Sequence, residues 1–140
     1  KFHPSGSLGE KLKTAEDLML TRDKIPFIDE NKLMTQALKI MTKKKLGTLI
    51  VRNKKKYTTG IITDGQIRRF NSKNINISSL KVKSVMTKNP IKIDKNILAT
   101  KALAIMNEKK ITSLCVYEKK KKFITIGILH IHNILNKKIY

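Results

Sequence analysis

The 140-residue sequence has one cysteine, no tryptophan, three prolines and only ten acidic residues. A lone Cys115 excludes an internal disulfide framework and fits a reducing cytoplasm. No Cys/His cluster has zinc-ligand spacing, so no metal site is expected. No apolar run reaches the roughly 18–20 residues that span a bilayer, so no membrane partner is expected. The opening Lys1-Phe2-His3-Pro4 has neither an initiator Met nor a signal-peptide apolar core, and reads as part of a longer chain. The shortage of acids leaves a net charge of +21 and a pI near 10.2. That excess admits nucleic-acid binding, because clustered lysines neutralise phosphates. Yet only Arg22, Arg52, Arg68 and Arg69 are arginines, and aromatic residues make up 5% of the chain. The forks and stacking rings that read nucleic acid are scarce. The runs Lys43-Lys44-Lys45, Lys54-Lys55-Lys56 and Lys119 to Lys122 fall between expected elements, where solvated turns belong. The favoured reading is a lysine-rich surface, with no nucleic-acid partner.

The chain is organised around Gly60-Ile61-Ile62-Thr63-Asp64-Gly65-Gln66-Ile67-Arg68-Arg69. Its first four residues read as a strand end, Asp64 and Gly65 as a turn, and Gln66 to Asn71 as a short helix. A hydroxyl beside a helix N-terminus suits an anionic ligand. The pattern returns 67 residues later in Gly127-Ile128-Leu129-His130-Ile131-His132-Asn133-Ile134-Leu135.

Residues 1–14 form a Gly/Ser-rich lead-in with too few apolar positions to fold alone. Ala15 to Met19 reads as a helical turn and Ile25 to Ile28 as a short strand whose Pro26 suits an edge or first position. Asp29, Glu30 and Asn31 offer helix caps. Leu33, Ala37, Leu38 and Met41 mark an amphipathic helix over roughly 32–44. Strands follow at Thr48–Val51 and Tyr57–Thr63. After a polar linker the order repeats. Val82 to Met86 matches Ala15 to Met19, and Asn89 to Ile93 matches Lys24 to Ile28. Asp94 or Asn96 would cap a helix carrying Leu98, Ala102, Leu103, Ile105 and Met106. Ala37 pairs with Ala102 and Met41 with Met106, at one offset of 65. Ser113–Tyr117 and Phe123–His130 are strands, and Ile131–Lys137 closes the chain. Such a repeat means two like modules, each covering the apolar face the other leaves open.

The tandem β-α-β-β-α units resemble a pair of cystathionine-β-synthase (CBS) domains, a Bateman module, over about residues 15–138. This implies an α+β fold, mixed α/β, of two modules packed with pseudo-twofold symmetry. The expected division is a linker over 1–14, one CBS domain over 15–75 and a second over 76–140. The segments Phe2 to Gly9, Leu46-Gly47-Thr48, Gly60 to Arg69 and Val85-Met86-Thr87 further resemble the C-terminal half of bacterial D-arabinose-5-phosphate isomerases. In that family a sugar-isomerase (SIS) domain precedes the CBS pair. The enzyme interconverts D-ribulose 5-phosphate and D-arabinose 5-phosphate on the route to the lipopolysaccharide sugar Kdo. The resemblance implies a cytoplasmic parent enzyme whose catalytic residues lie upstream of Lys1, and no catalysis by this segment itself. His3 maps onto the family's His-Pro-Gly-Gly histidine, proposed as catalytic, and could act only with the upstream partners present. A frayed terminal histidine is the favoured reading here.

CBS pairs resembling this one bind nucleotides between modules. The resemblance places ligand contacts at Ile25, Pro26, Thr48, Thr63, Asp64 and Gln66, and in the second copy at Pro90, Ser113, His130 and Asn133. Gln66 and Asn133 stand where nucleotide-binding members carry an Asp for the ribose, and one amide oxygen suits a diol less well. Each residue also has a plain role: Thr63 and Asp64 as helix caps, and Arg68 and Arg69 as surface ion-pair partners. His130 and His132, sharing a strand face, would be satisfied imidazoles rather than a metal site. Met41 and Met106 read as core packing and Cys115 as an inert thiol. The leading expectation is a regulatory module that senses a nucleotide or nucleotide sugar and has no cofactor. Its partners would be its own SIS domain and a second copy, giving a homodimer and, in the full-length enzyme, a tetramer. The alternatives are a purely structural assembly module and nucleic-acid binding.

Overall fold

The computed structural model describes residues 12–139, with side chains through Leu135. His3 and most of the lead-in lie outside the described residues. Helix α1 (Ala15–Leu18) opens with a capping box, in which the Asp17 amide donates to Thr14 Oγ1 at 3.3 Å and the Thr14 amide to Asp17 Oδ2 at 2.9 Å. A 3-10 turn (Arg22–Lys24) leads to β1 (Phe27–Asp29), α2 (Met34–Lys44), β2 (Thr48–Arg52), β3 (Thr58–Thr63) and α3 (Asp64–Ser72). The order returns as α4 (Val82–Val85), β4 (Thr87–Lys88), β5 (Lys92–Asp94), α5 (Ala99–Lys109), β6 (Ser113–Tyr117), β7 (Gly127–His130) and α6 (Ile131–Ile139).

Local chemistry explains the boundaries. In α2 the buried residues are Met34, Ala37 and Met41, and in α5 Ala99, Ala102 and Met106, so each helix turns one stripe inward. Leu33, read from sequence as part of the stripe, is instead the N-cap residue and is 43% exposed. Leu98 does the same for α5. The acidic residues ahead of these helices do not cap them. Asp29 Oδ1 accepts from the Asn31 amide and Asp94 Oδ1 from the Asn96 amide, each at 2.8 Å, closing the turn before the helix. Both helices end on a lysine in the left-handed region, Lys45 and Lys110, each with φ of 57°. Gly47 follows at φ 75°, where a Cβ would also crowd Asp64 Oδ2. The strand expected at Ile25–Ile28 begins two residues later. Pro26 has no N–H to give, but its carbonyl accepts from the Ile50 amide at 2.8 Å. The strand expected over Phe123–His130 shortens to its last four residues, and Asp64 and Gly65 form the first turn of α3 rather than a separate turn.

The described chain divides into two compact units that do not follow the repeat. The continuous unit holds 23–90. Its four-stranded sheet has the order β1-β2-β3-β4, with β1 parallel to β2 and the other neighbours antiparallel. The discontinuous unit joins 12–22 to 91–139 around the sheet β5-β6-β7, with β5 parallel to β6. The opening helix of each repeat has therefore changed places. Val82 and Val85 of α4 pack with Met34, Leu49 and Ile62 in the continuous unit's core. Ala15 and Leu18 of α1 pack with Ile93, Met106 and Leu129 in the other. The backbone seals both exchanges. The Val82 amide donates to Lys32 O at 2.8 Å, while Leu20 and Ile128 trade amide hydrogen bonds at 2.8 and 3.0 Å. Glycines permit the approach: a Cβ on Gly60 would strike Met86 Sδ, and one on Gly127 would strike Met19 Sδ.

Candidate functional site

The strongest chemical constellation sits where β3 runs into α3. Thr63 is the N-cap residue. Its Oγ1 accepts from the Gln66 amide at 3.3 Å, and the Gln66 side chain accepts from the Thr63 amide at 3.4 Å. Thr48, buried on β2, is the register partner of Thr63, so the two hydroxyl residues share one sheet end. Helical side chains lean toward the N-terminus, and Arg68 and Arg69 stand three and four residues past Gly65. Their guanidinium nitrogens each lie 3.7 Å from the place a Gly65 Cβ would take, and Thr63 Oγ1 lies 4.0 Å from it. Two cations, a hydroxyl and the positive end of a nine-residue helix thus converge on one point. Among the described residues no carboxylate comes within 4 Å of either guanidinium.

The other sequence-singled residues of this unit take different roles. Gln66 is buried and committed internally: its Nε2 donates to Val85 O at 2.6 Å and to Thr87 Oγ1 at 2.9 Å. Asp64 is exposed, and its Oδ2 hangs over Gly47. Ile25 and Pro26 are buried ahead of β1.

In the discontinuous unit Ser113 and His130 face each other in register, as Thr48 and Thr63 do. Asn133 Oδ1 accepts from the His130 amide at 2.9 Å, matching the Gln66 cap. Pro90 belongs to the continuous unit, at its last residue. The position of Gly65 is taken by His132. The two histidines do meet, but not on a strand face. His130 ends β7, His132 lies in the first turn of α6, and the rings stack with centroids 4.8 Å apart. Burial, and then the neighbouring His132, push the His130 pKa below its usual value. No group of three or more metal-ligating side chains occurs among the described residues. Cys115 is buried, and that burial pushes its thiol up to about 11.

The family model for the CBS domain matches residues 15–73 and again 82–139. The chain belongs to the CBS-domain family. This CBS pair is 38% identical over 135 residues to the uncharacterized protein RP505 of Rickettsia prowazekii (strain Madrid E), covering 96% of this chain and 41% of that protein. It is 34% identical over 134 residues to arabinose 5-phosphate isomerase KdsD of Escherichia coli (strain K12), covering 95% of this chain and 40% of the isomerase. The pair therefore spans about two fifths of the length of these relatives. Among solved structures, an uncharacterized conserved protein from Pyrococcus horikoshii superposes with a TM-score of 0.81 at 21% identity, covering 93% of this chain and 95% of that one. CBSX2, solved in complex with AMP, gives 0.78 at 19% identity, with 90% and 96% covered. The CBS pair of MJ0100, solved with 5′-methylthioadenosine and S-adenosyl-L-methionine, gives 0.77 at 18% identity, with 89% and 94% covered. These likenesses establish the α+β fold of a tandem CBS pair.

Two features escaped sequence reasoning. The exchange of α1 and α4 left no pattern signal, because the two segments match each other. The convergence at Gly65 was legible only in part. Helical spacing puts Arg68 and Arg69 on the side of the α3 N-terminus, but a surface ion pair satisfies the same spacing.

Proposed function

We propose that this CBS pair is the regulatory, ligand-sensing part of a D-arabinose-5-phosphate isomerase. Its effector is a nucleotide or nucleotide sugar whose phosphate sits at the α3 N-terminus, held by Thr63, Arg68 and Arg69. The observation that carries this reading is the convergence of both guanidinium groups and the Thr63 hydroxyl beside Gly65, with no carboxylate within 4 Å of either arginine among the described residues. Kinship with KdsD supports the parent activity, and the AMP and adenosyl ligands of CBSX2 and MJ0100 support the ligand class. Ile25, Pro26, Thr48 and Asp64 would shape the surroundings. Gln66 acts by positioning Thr63. The second copy, Pro90, Ser113, His130 and Asn133, lacks the two arginines and is the weaker site.

The mechanism is linkage. An effector that binds one arrangement of the protein better shifts the attached isomerase toward it by the difference in affinity. Catalysis resides in the SIS domain, with His3 a candidate contributor. The parent is cytoplasmic and assembles through its CBS pairs as a homodimer, or a tetramer at full length. A purely structural assembly role is the second reading. It is favoured by Gln66 and Asn133, which spend their side chains on internal hydrogen bonds rather than offering them to a ribose.

Calorimetric titration with AMP, ATP, CMP and the cytidine-linked Kdo sugar at two salt concentrations tests the proposal. Saturable binding of one ligand, lost in Thr63→Ala and in Arg68→Gln/Arg69→Gln, is expected. Binding of every ligand that fades together with salt would reduce the site to lysine electrostatics. The absence of any heat would leave the structural reading.

A further inference from the structure

A second cationic feature lies at the opposite end of the same sheet. Strand β2 runs from Thr48 to Arg52, so its far end is about 13 Å from the Thr63 site at the usual rise per residue. There a cavity of about 350 Å³ is lined by Phe27, Asp29, Arg52, Asn53, Lys54 and Lys56, among others. Pockets of that size hold small ligands.

Arg52 is the distinctive member. Its guanidinium carbon stands 3.7 Å from the centroid of the Phe27 ring. The contact with the ring uses the charge of the guanidinium and does not consume its N–H donors. Among the described residues no carboxylate reaches within 4 Å of it. Asp29, its register partner on β1, instead accepts from the Asn31 amide through Oδ1. Partial burial without a counter-charge disfavours the cation and draws the Arg52 pKa downward. The lysines are held by a tight turn. Asn53 Oδ1 accepts from the Lys55 and Tyr57 amides at 3.0 and 3.1 Å, and Asn53 O accepts from the Lys56 amide at 2.9 Å.

The other repeat supplies an internal comparison. At the matching positions the cation and the ring have exchanged strands, Lys92 lying 5.3 Å from the Tyr117 ring centroid. But Lys92 Nζ donates to Lys122 O at 2.9 Å, so its ammonium is partly spent. At the matched positions the arginine fork occurs in the continuous unit and not in the other.

We propose that the pocket at the β1–β2 end of the continuous unit binds a small phosphorylated anion, gripped by the Arg52 fork and the Lys54 and Lys56 ammonium groups. This site is separate from the one beside Gly65. A planar guanidinium offers paired donors that match a carboxylate or a phosphate edge, and the two flanking lysines favour the more highly charged phosphoryl group.

The test is a titration of the 140-residue chain with inorganic pyrophosphate at physiological and raised salt. It is carried out in an Arg68→Gln/Arg69→Gln background so that the α3 site is silent. We expect one saturable site, weakened about tenfold or more by Arg52→Gln, and also weakened by Arg52→Lys, which keeps charge but loses the fork. Lys54→Gln/Lys56→Gln should weaken it as well. Removing equal charge from the matching turn, Lys119→Gln/Lys120→Gln, should leave affinity within about twofold. No saturable binding at millimolar pyrophosphate, or equal losses in the two lysine double variants, would overturn the proposal.

Discussion

Replacing Gln66 with alanine is the sharpest test of how the continuous unit holds its exchanged segment. The residue is 8% exposed, and its side chain spans two junctions. Its Oε1 completes the Thr63 cap, and its Nε2 reaches Val85 O at 2.6 Å and Thr87 Oγ1 at 2.9 Å, tying α3 to the end of α4 and the start of β4. Truncation removes the part-buried bonds to the Thr63 amide and Thr87 Oγ1, together worth about 1 kcal/mol net, and leaves the Val85 carbonyl without its donor at about 1–2 kcal/mol more. The expected loss is about 2–3 kcal/mol, or roughly 6–9 °C in melting temperature for a chain of this length. Two companions grade the effect. Thr87→Val removes only the acceptor at 2.9 Å and should cost under about 1 kcal/mol. Asn133→Ala removes the single cap to the His130 amide and should cost about 1 kcal/mol. Urea unfolding followed by circular dichroism gives all three. If Gln66→Ala proves no more destabilising than Asn133→Ala, the Gln66 side chain does not bind α4 and β4 to the sheet, and the reasoning is refuted.

Other perturbations follow from the same contacts. Gly60→Ala should destabilise by about 1–3 kcal/mol, because the new methyl must displace the Met86 thioether, and pairing with Met86→Ala should recover part of that loss in the same denaturation assay. His130 has a depressed pKa, so the folded state takes up its proton later than the unfolded one. Its contribution is intact above the ordinary value of about 6.5 and declines as pH falls through it. Melting temperatures between pH 8 and pH 5 should therefore drop more steeply for the wild type than for His130→Gln; parallel curves would contradict this. Cys115, with its thiol pushed up to about 11 inside the β6 core, should resist an aromatic disulfide reagent at pH 8 until denaturant is added. Rapid labelling of the native protein would count against that burial.

Much of this was legible in the sequence because periodicity and turn chemistry are local. The offsets that pair Ala37 with Ala102 and Gly60 with Gly127 gave the repeat, and the strand-to-helix junctions fell where Thr63 and His130 stand. Reasoning from pattern slipped where two residues were equally apolar. Leu33 and Met34 both fit the α2 stripe, and only the turn closed by Asp29 decides that Leu33 faces outward. It slipped again where pairing is long-range. Nothing in Ala15 to Met19 or Val82 to Met86 says which sheet each will join, since each carries the same small and branched pattern. The candidate site divides in the same way. Thr63 and Gln66 announce a cap through their three-residue spacing, whereas the Val85 and Thr87 bonds of Gln66 join residues 19 and 21 positions apart. The Phe27–Arg52 stack depends on strand register and left no trace in the lysine-rich turn that follows it.

The exchange of helices has a thermodynamic consequence. For residues 12–22 and 91–139 the whole of 23–90 is a tether. Folded, that tether holds its ends at one separation. Unfolded, it becomes a random loop of about 70 residues whose closure costs on the order of 3–4 kcal/mol by the logarithmic length law. A ligand that keeps 23–90 folded thereby shields the remainder of the chain from that entropic penalty, even if it touches none of it. Stability can pass from one half to the other through connectivity alone.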